Sequence, residues 1–136
     1  MHELEISILR RELGQVALGI RRSRIGDRSI NLPFSSIDYE FSEGGKVYQR
    51  KKIILAAPGC TAATCTMCPI PNESFYGEKR EFTPEDFLHQ FESAFQKKPL
   101  DSYQLVSVYN SGNWFANREV PPAARQNIYR AIAVSK

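Results

Sequence analysis

Long apolar runs are missing from this 136-residue chain, and the longest, Ile53 to Ala57, falls far short of the roughly 18 apolar residues of a membrane span. Met1 to Leu13 also lacks the apolar core of a secretion signal. Glu3, Glu5, Arg10, Arg11 and Glu12 interrupt it, so a cytoplasmic location is expected. Histidine is scarce, with only His2 and His89. Cysteine is limited to three residues, an odd number that disfavours a disulfide framework. A phosphate-binding glycine loop, an HExxH pair and a Ser-His-Asp pattern are all lacking, which removes three common catalytic readings. Neither internal repeats nor low-complexity segments occur.

What is present suits one modest domain with its own core: 42% apolar and 24% charged residues. The net charge is +3 and uneven. Up to Gly59 there are ten Lys or Arg against seven Asp or Glu, and beyond it eight of each. Arg21, Arg22, Arg24 and Arg28 cluster in the first part, followed later by Arg50, Lys51 and Lys52. Such runs can neutralise phosphates, but they are read first as solvated faces.

Apolar residues at Leu4, Ile8, Leu9, Leu13, Val16 and Ile20 carry the stripe of an amphipathic helix over Glu3 to Ile20. Arg21 to Ser36 reads as an irregular connection. Asp38 to Phe41 begins a strand, Ser42 to Gly45 makes a turn, and Val47 to Leu55 returns as a strand whose second half is apolar on successive residues. Thr83 caps the next helix, with Pro84 at its first position, Glu85 and Asp86 on its positive end, and Lys97 to Pro99 closing it. Tyr103 to Tyr109 reads as a second buried strand, Asn110 to Asn113 as its loop, and a last helix starts near Pro121 and Pro122. This βα alternation predicts an α/β fold with parallel strands. Residues 1–45 are read as an amino-terminal helical and irregular extension, and residues 46–136 as the core.

All three cysteines fall within nine residues, Cys60 to Cys68, spaced C-x4-C-x2-C on the loop after an apolar strand. Close spacing on a strand-end loop points to thiolate metal binding, either zinc or an iron-sulfur cluster. Structural zinc wants a fourth ligand, for which His89 is the candidate. Three cysteines on a 4Fe-4S cluster would instead leave one iron open for chemistry.

The three clustered cysteines after an apolar strand resemble the radical S-adenosylmethionine (radical SAM) superfamily. Cys65-Thr66-Met67-Cys68-Pro69 is similar to its branch containing the Elongator catalytic subunit and the archaeosine-forming lyase. Val108 to Phe115, followed by Arg118-Glu119-Val120-Pro121-Pro122, resembles the segment after the second barrel strand of that branch. The resemblance implies that Cys60, Cys65 and Cys68 ligate a 4Fe-4S cluster. It also implies that Met67 lies beside the adenine of S-adenosyl-L-methionine and that Ser111, Gly112 and Asn113 meet its methionine moiety. Reductive cleavage of that cofactor to a 5'-deoxyadenosyl radical, and an electron donor protein, are implied with it. In these terms residues 46–136 hold the first two βα units of a partial (β/α)6 barrel. The later strands have no counterpart, so the chain reads as a truncated or incomplete enzyme.

A plain turn is the competing reading of Ser111 to Asn113. Trp114 and Phe115 are read as packing, and Arg118 with Glu119 as a helix-start feature. A competing function is a small zinc-stabilised nucleic-acid-binding module that uses the basic amino-terminal segment. Relatedness to nucleoside-modifying enzymes brings a tRNA substrate into consideration, and no membrane partner is expected.

Overall fold

Helix α1 (Glu3–Ile20) forms where the apolar period predicts it, yet Leu4, Leu9, Leu13 and Val16 stay exposed to solvent. The structure, a computed structural model, describes residues 3–20, 29–60 and 81–135. Within these residues β1 (Ser35–Glu43) and β2 (Lys46–Leu55) form an antiparallel hairpin turning at Gly44 and Gly45, with φ of 57° and 75°. The strand is longer at both ends than Asp38 to Phe41. A boundary at residue 45 falls on the turn of this hairpin.

Chain continuity then passes through α2 (Pro84–Ser93) to β3 (Leu105–Asn110), which pairs with β2 in parallel and completes a sheet ordered β1-β2-β3. Thr83 caps α2 as predicted: its Oγ1 accepts from the Asp86 N–H at 3.2 Å, while its own N–H donates to Asp86 Oδ2 at 2.7 Å. The helix ends at Ser93, short of Lys97. Beyond it the Ala94 and Phe95 N–H groups turn back to Phe91 and Glu92, and a 3-10 turn follows at Leu100–Ser102. Last comes α3 (Pro122–Val134), begun by the paired prolines. The fold is mixed α/β, and among the described residues no helix is long and apolar enough to cross a membrane.

Alternation along β2 sends Ile53 and Leu55 to one face of the sheet, where they pack with Phe87 and Phe91 of α2, and with Val120, Ala124 and Ile128 at and inside α3. That layer is the core. Period two also breaks up the basic run. Lys51 is buried, donating to Asp38 Oδ1 at 2.7 Å, whereas Arg50 on the opposite face donates to Ser107 Oγ and Lys52 lies 5.7 Å from the Tyr109 ring centre. The Arg21 to Arg28 cluster lies outside the described residues.

Beside that ion pair the Tyr103 hydroxyl also donates to Asp38 Oδ1, at 3.0 Å. Asp38 is held below the ordinary carboxylate value chiefly by the Lys51 hydrogen bond, against an opposing effect of burial. Tyr103 is pushed up to about 12, first by burial and then by its bond to Asp38. Its stabilising contribution is therefore complete below the ordinary value of 10 and is lost as pH rises from there towards about 12. Asp38 acts in the opposite sense, contributing above the ordinary 3.8 and losing its contribution as pH falls below it. Urea unfolding of the parent and of Y103F at rising alkaline pH is expected to converge, because only the parent carries this loss. A gap between them that holds constant up to about pH 12 counts against the assignment.

Candidate functional site

Parallel pairing sets the geometry of the site: Leu55 at the end of β2 lies opposite Asn110 at the end of β3, so both strands deliver their following loops to one edge. After Leu55 the chain runs through buried Ala56 and Ala57 to Gly59, whose φ of 122° only glycine adopts without strain, and reaches Cys60. The Cys60 thiol is free and half-buried. After Asn110 the loop carries Ser111, which is buried, then Gly112 and exposed Asn113.

These two loops touch. A Cβ built on Gly112 would lie 3.3 Å from Cys60 Cα and 2.0 Å from Glu119 Oε2, so the position admits no side chain without displacing one or the other. Residues 52 apart in sequence, Cys60 and Gly112, therefore meet at the strand ends. Cys65, Cys68 and Met67 lie outside the described residues. His89 is exposed on α2, with its neighbours Gln90 and Phe91 turned inward.

Two further groups shape this edge, Gln90, which no local motif marks, and Glu119, whose sequence context points to a helix start. Gln90 is fully buried, and its carboxamide closes both ways on one backbone unit: Oε1 accepts from the Ala56 N–H at 2.7 Å and Nε2 donates to Ala56 O at 3.0 Å. The same Nε2 donates to Ile30 O at 2.7 Å. Gln90 thus clamps the stretch leading to Cys60. Glu119, read as a helix-start residue, is instead 1% exposed and folds beneath the Ser111 to Asn113 loop. Its Oε2 accepts from the Asn113 N–H and, at 3.4 Å, from Asn110 Nδ2.

Asn110 itself is 7% exposed, and its Oδ1 has no hydrogen-bond partner among the described residues. A buried acceptor without a donor is costly unless a bound group supplies one. Asn113 is partly committed to the loop, since its Oδ1 accepts from the Phe115 N–H at 3.0 Å. Trp114 packs on the core and donates through Nε1 to Tyr129 at 2.9 Å, as its reading as packing expects; Phe115 is 75% exposed and does not. Among the described residues no group of three His, Cys, Asp or Glu side chains converges as a metal site, and two of the three cysteines fall outside them.

No family model, curated protein or solved structure matches the chain. The chemistry of the site rests on its own residues: a thiol, a tight glycine, an unsatisfied carboxamide oxygen and a buried carboxylate at the carboxyl edge of a parallel strand pair.

Gln90→Leu removes the clamp by replacing the carboxamide with an apolar side chain of similar size. It leaves the buried Ala56 N–H and C=O unpaired, so a loss of about 2 to 3 kcal/mol in urea unfolding is expected. A change below about 0.5 kcal/mol, the range of an ordinary surface substitution, would show that Ala56 finds other partners.

Proposed function

We propose that the chain is a radical SAM iron-sulfur protein, built as the opening part of a partial (β/α)6 barrel. Cys60, Cys65 and Cys68 hold a 4Fe-4S cluster, and Met67, Ser111, Gly112 and Asn113 hold S-adenosyl-L-methionine. The observation that carries this reading is the meeting of Cys60 with Gly112 at the ends of adjacent parallel strands. Cys60, the first residue of one segment that resembles the superfamily, and Gly112, within the other, are neighbours in space.

The residues fit the two groups. Cys60 presents a free thiol, and thiolates are the ligands of iron-sulfur clusters. Gly112 lets the loop backbone close up against Glu119 and Cys60, and Asn110 Oδ1 awaits a donor such as an ammonium or amino group. When bound, the pair of cofactors supplies a 5'-deoxyadenosyl radical by reductive cleavage, with the electron coming from a donor protein. The chain's own part is to hold the thiolates, to shape the loop against the cofactor and to keep its polar groups aimed. A reducing cytoplasmic setting and a tRNA substrate belong to the same reading.

Anaerobic reconstitution with iron and sulfide tests it. A reducible visible chromophore with a 4Fe-4S complement of iron and sulfide is expected in the parent, and its loss in C60A, C65A and C68A. Addition of S-adenosyl-L-methionine is expected to alter the electron paramagnetic resonance spectrum of the reduced cluster. One zinc per chain, with unfolding on chelation and salt-sensitive nucleic-acid affinity, is the result that would replace this reading by the zinc module.

A further inference from the structure

Glu119 is a carboxylate taken almost wholly out of water, 1% exposed. Such burial costs several kcal/mol unless N–H donors surround the group. Among the described residues, donors to it come from the loop that follows β3, including the Asn113 backbone N–H and the Asn110 carboxamide. Two successive turns bring the carboxylate back to them. The Ala116 N–H donates to Asn113 O at 3.0 Å, and the Glu119 and Val120 N–H groups both donate to Ala116 O at 2.9 Å. Val120, the next residue, is fully buried in the core with Ala124 and Ile128. Glu119 is therefore anchored on one side to the helical layer and on the other to the loop.

Gly112 completes the arrangement. The space a Cβ would occupy there is already taken by Glu119 Oε2, so the carboxylate sits directly against the loop backbone, and Cys60 lies on the same side. A helix-start role explains none of this. It would leave the carboxylate at the solvent-facing end of α3, where a charge interacts with the helix dipole at little desolvation cost.

We propose that Glu119 is a positioning residue: it holds the backbone of Ser111 to Asn113 in the shape that receives S-adenosyl-L-methionine beside Cys60, without touching the cofactor. The proposal rests on the radical SAM reading and adds to it a residue outside the segments that meet the cofactor. Gly112 and Glu119 act as one unit, because the glycine makes room for the carboxylate that braces it.

The full chain, reconstituted with iron and sulfide, is compared as parent, E119A, E119Q, G112A and the double variant G112A/E119A. Iron and sulfide content, the unfolding midpoint and the S-adenosyl-L-methionine titration of the reduced cluster's paramagnetic spectrum are read for each. E119A is expected to keep the parent's cluster content and to need about tenfold more S-adenosyl-L-methionine for half-saturation, the scale of one lost charge-assisted hydrogen bond. E119Q, whose amide oxygen still accepts from the Asn113 N–H, is expected to recover most of that affinity. The double variant is expected to bind no more weakly than G112A, since removing the carboxylate removes the collision.

Parent-like titration in E119A with its cluster intact overturns the proposal and leaves the radical SAM reading standing. Cluster content that falls in step with the unfolding midpoint, in E119Q as in E119A, overturns it in favour of a purely structural role. A parent that takes up no cluster overturns the radical SAM reading, and this inference with it, before any variant is compared.

Discussion

Parallel pairing of β2 with β3 is the constraint on which the rest of the structure depends. Antiparallel strands would send the loops after Leu55 and Asn110 to opposite edges; parallel ones bring both out together, in the register Leu55 opposite Asn110. Such a pair needs a long crossover, and the connection containing α2 provides it. Because α2 and α3 pack on the Ile53 and Leu55 face, the crossover that makes the pairing possible also makes the core. The meeting of Cys60 and Gly112 is a consequence of that register rather than of any local preference in either loop.

Around the pair, the buried side chains of Lys51, Gln90 and Glu119 each secure a piece of backbone or another strand. Gln90 holds Ala56, just before the cysteine loop, and Glu119 holds Asn113, within the loop after β3. Lys51 and Asp38 tie β2 to β1, with Tyr103 joining from the segment before β3. A buried group of this kind costs desolvation free energy that only a correctly placed partner offsets, so it disfavours alternative registers more than it adds net stability. Gln90 and Glu119 both come from the helical layer or its threshold and reach to the strand ends. The helices therefore shape the edge as well as covering the sheet.

Much of this was legible in the sequence because it is local. The apolar period of α1, the Thr83-Pro84-Glu85-Asp86 start of α2, the Gly44-Gly45 turn and the Pro121-Pro122 start of α3 are each written within a few residues, and each element formed where that chemistry placed it. The position of Cys60 just past the apolar end of β2 was legible for the same reason. Less so were the exact ends: α2 stops at Ser93 rather than near Lys97, where turns and a 3-10 segment carry the chain on towards β3.

Tertiary structure alone decided which groups meet. The basic run Arg50-Lys51-Lys52 looked like one solvated patch, but strand alternation buried its middle member beside Asp38 and left the outer two on the opposite face. The apolar stripe of α1 reads as an amphipathic face, yet its Leu4, Ile8, Leu9, Leu13 and Val16 are exposed. Glu119 looked like a charge for a helix dipole and became a brace under Gly112, because the turns from Asn113 to Val120 fold it back against a loop. By itself the sequence determined the local conformations and the clustering of three thiols within nine residues, since backbone angles, caps and side-chain period act over a few residues. Burial, ion pairing and the adjacency of Cys60, Gly112 and Glu119 arise only when distant segments share one edge, and that awaits strand register.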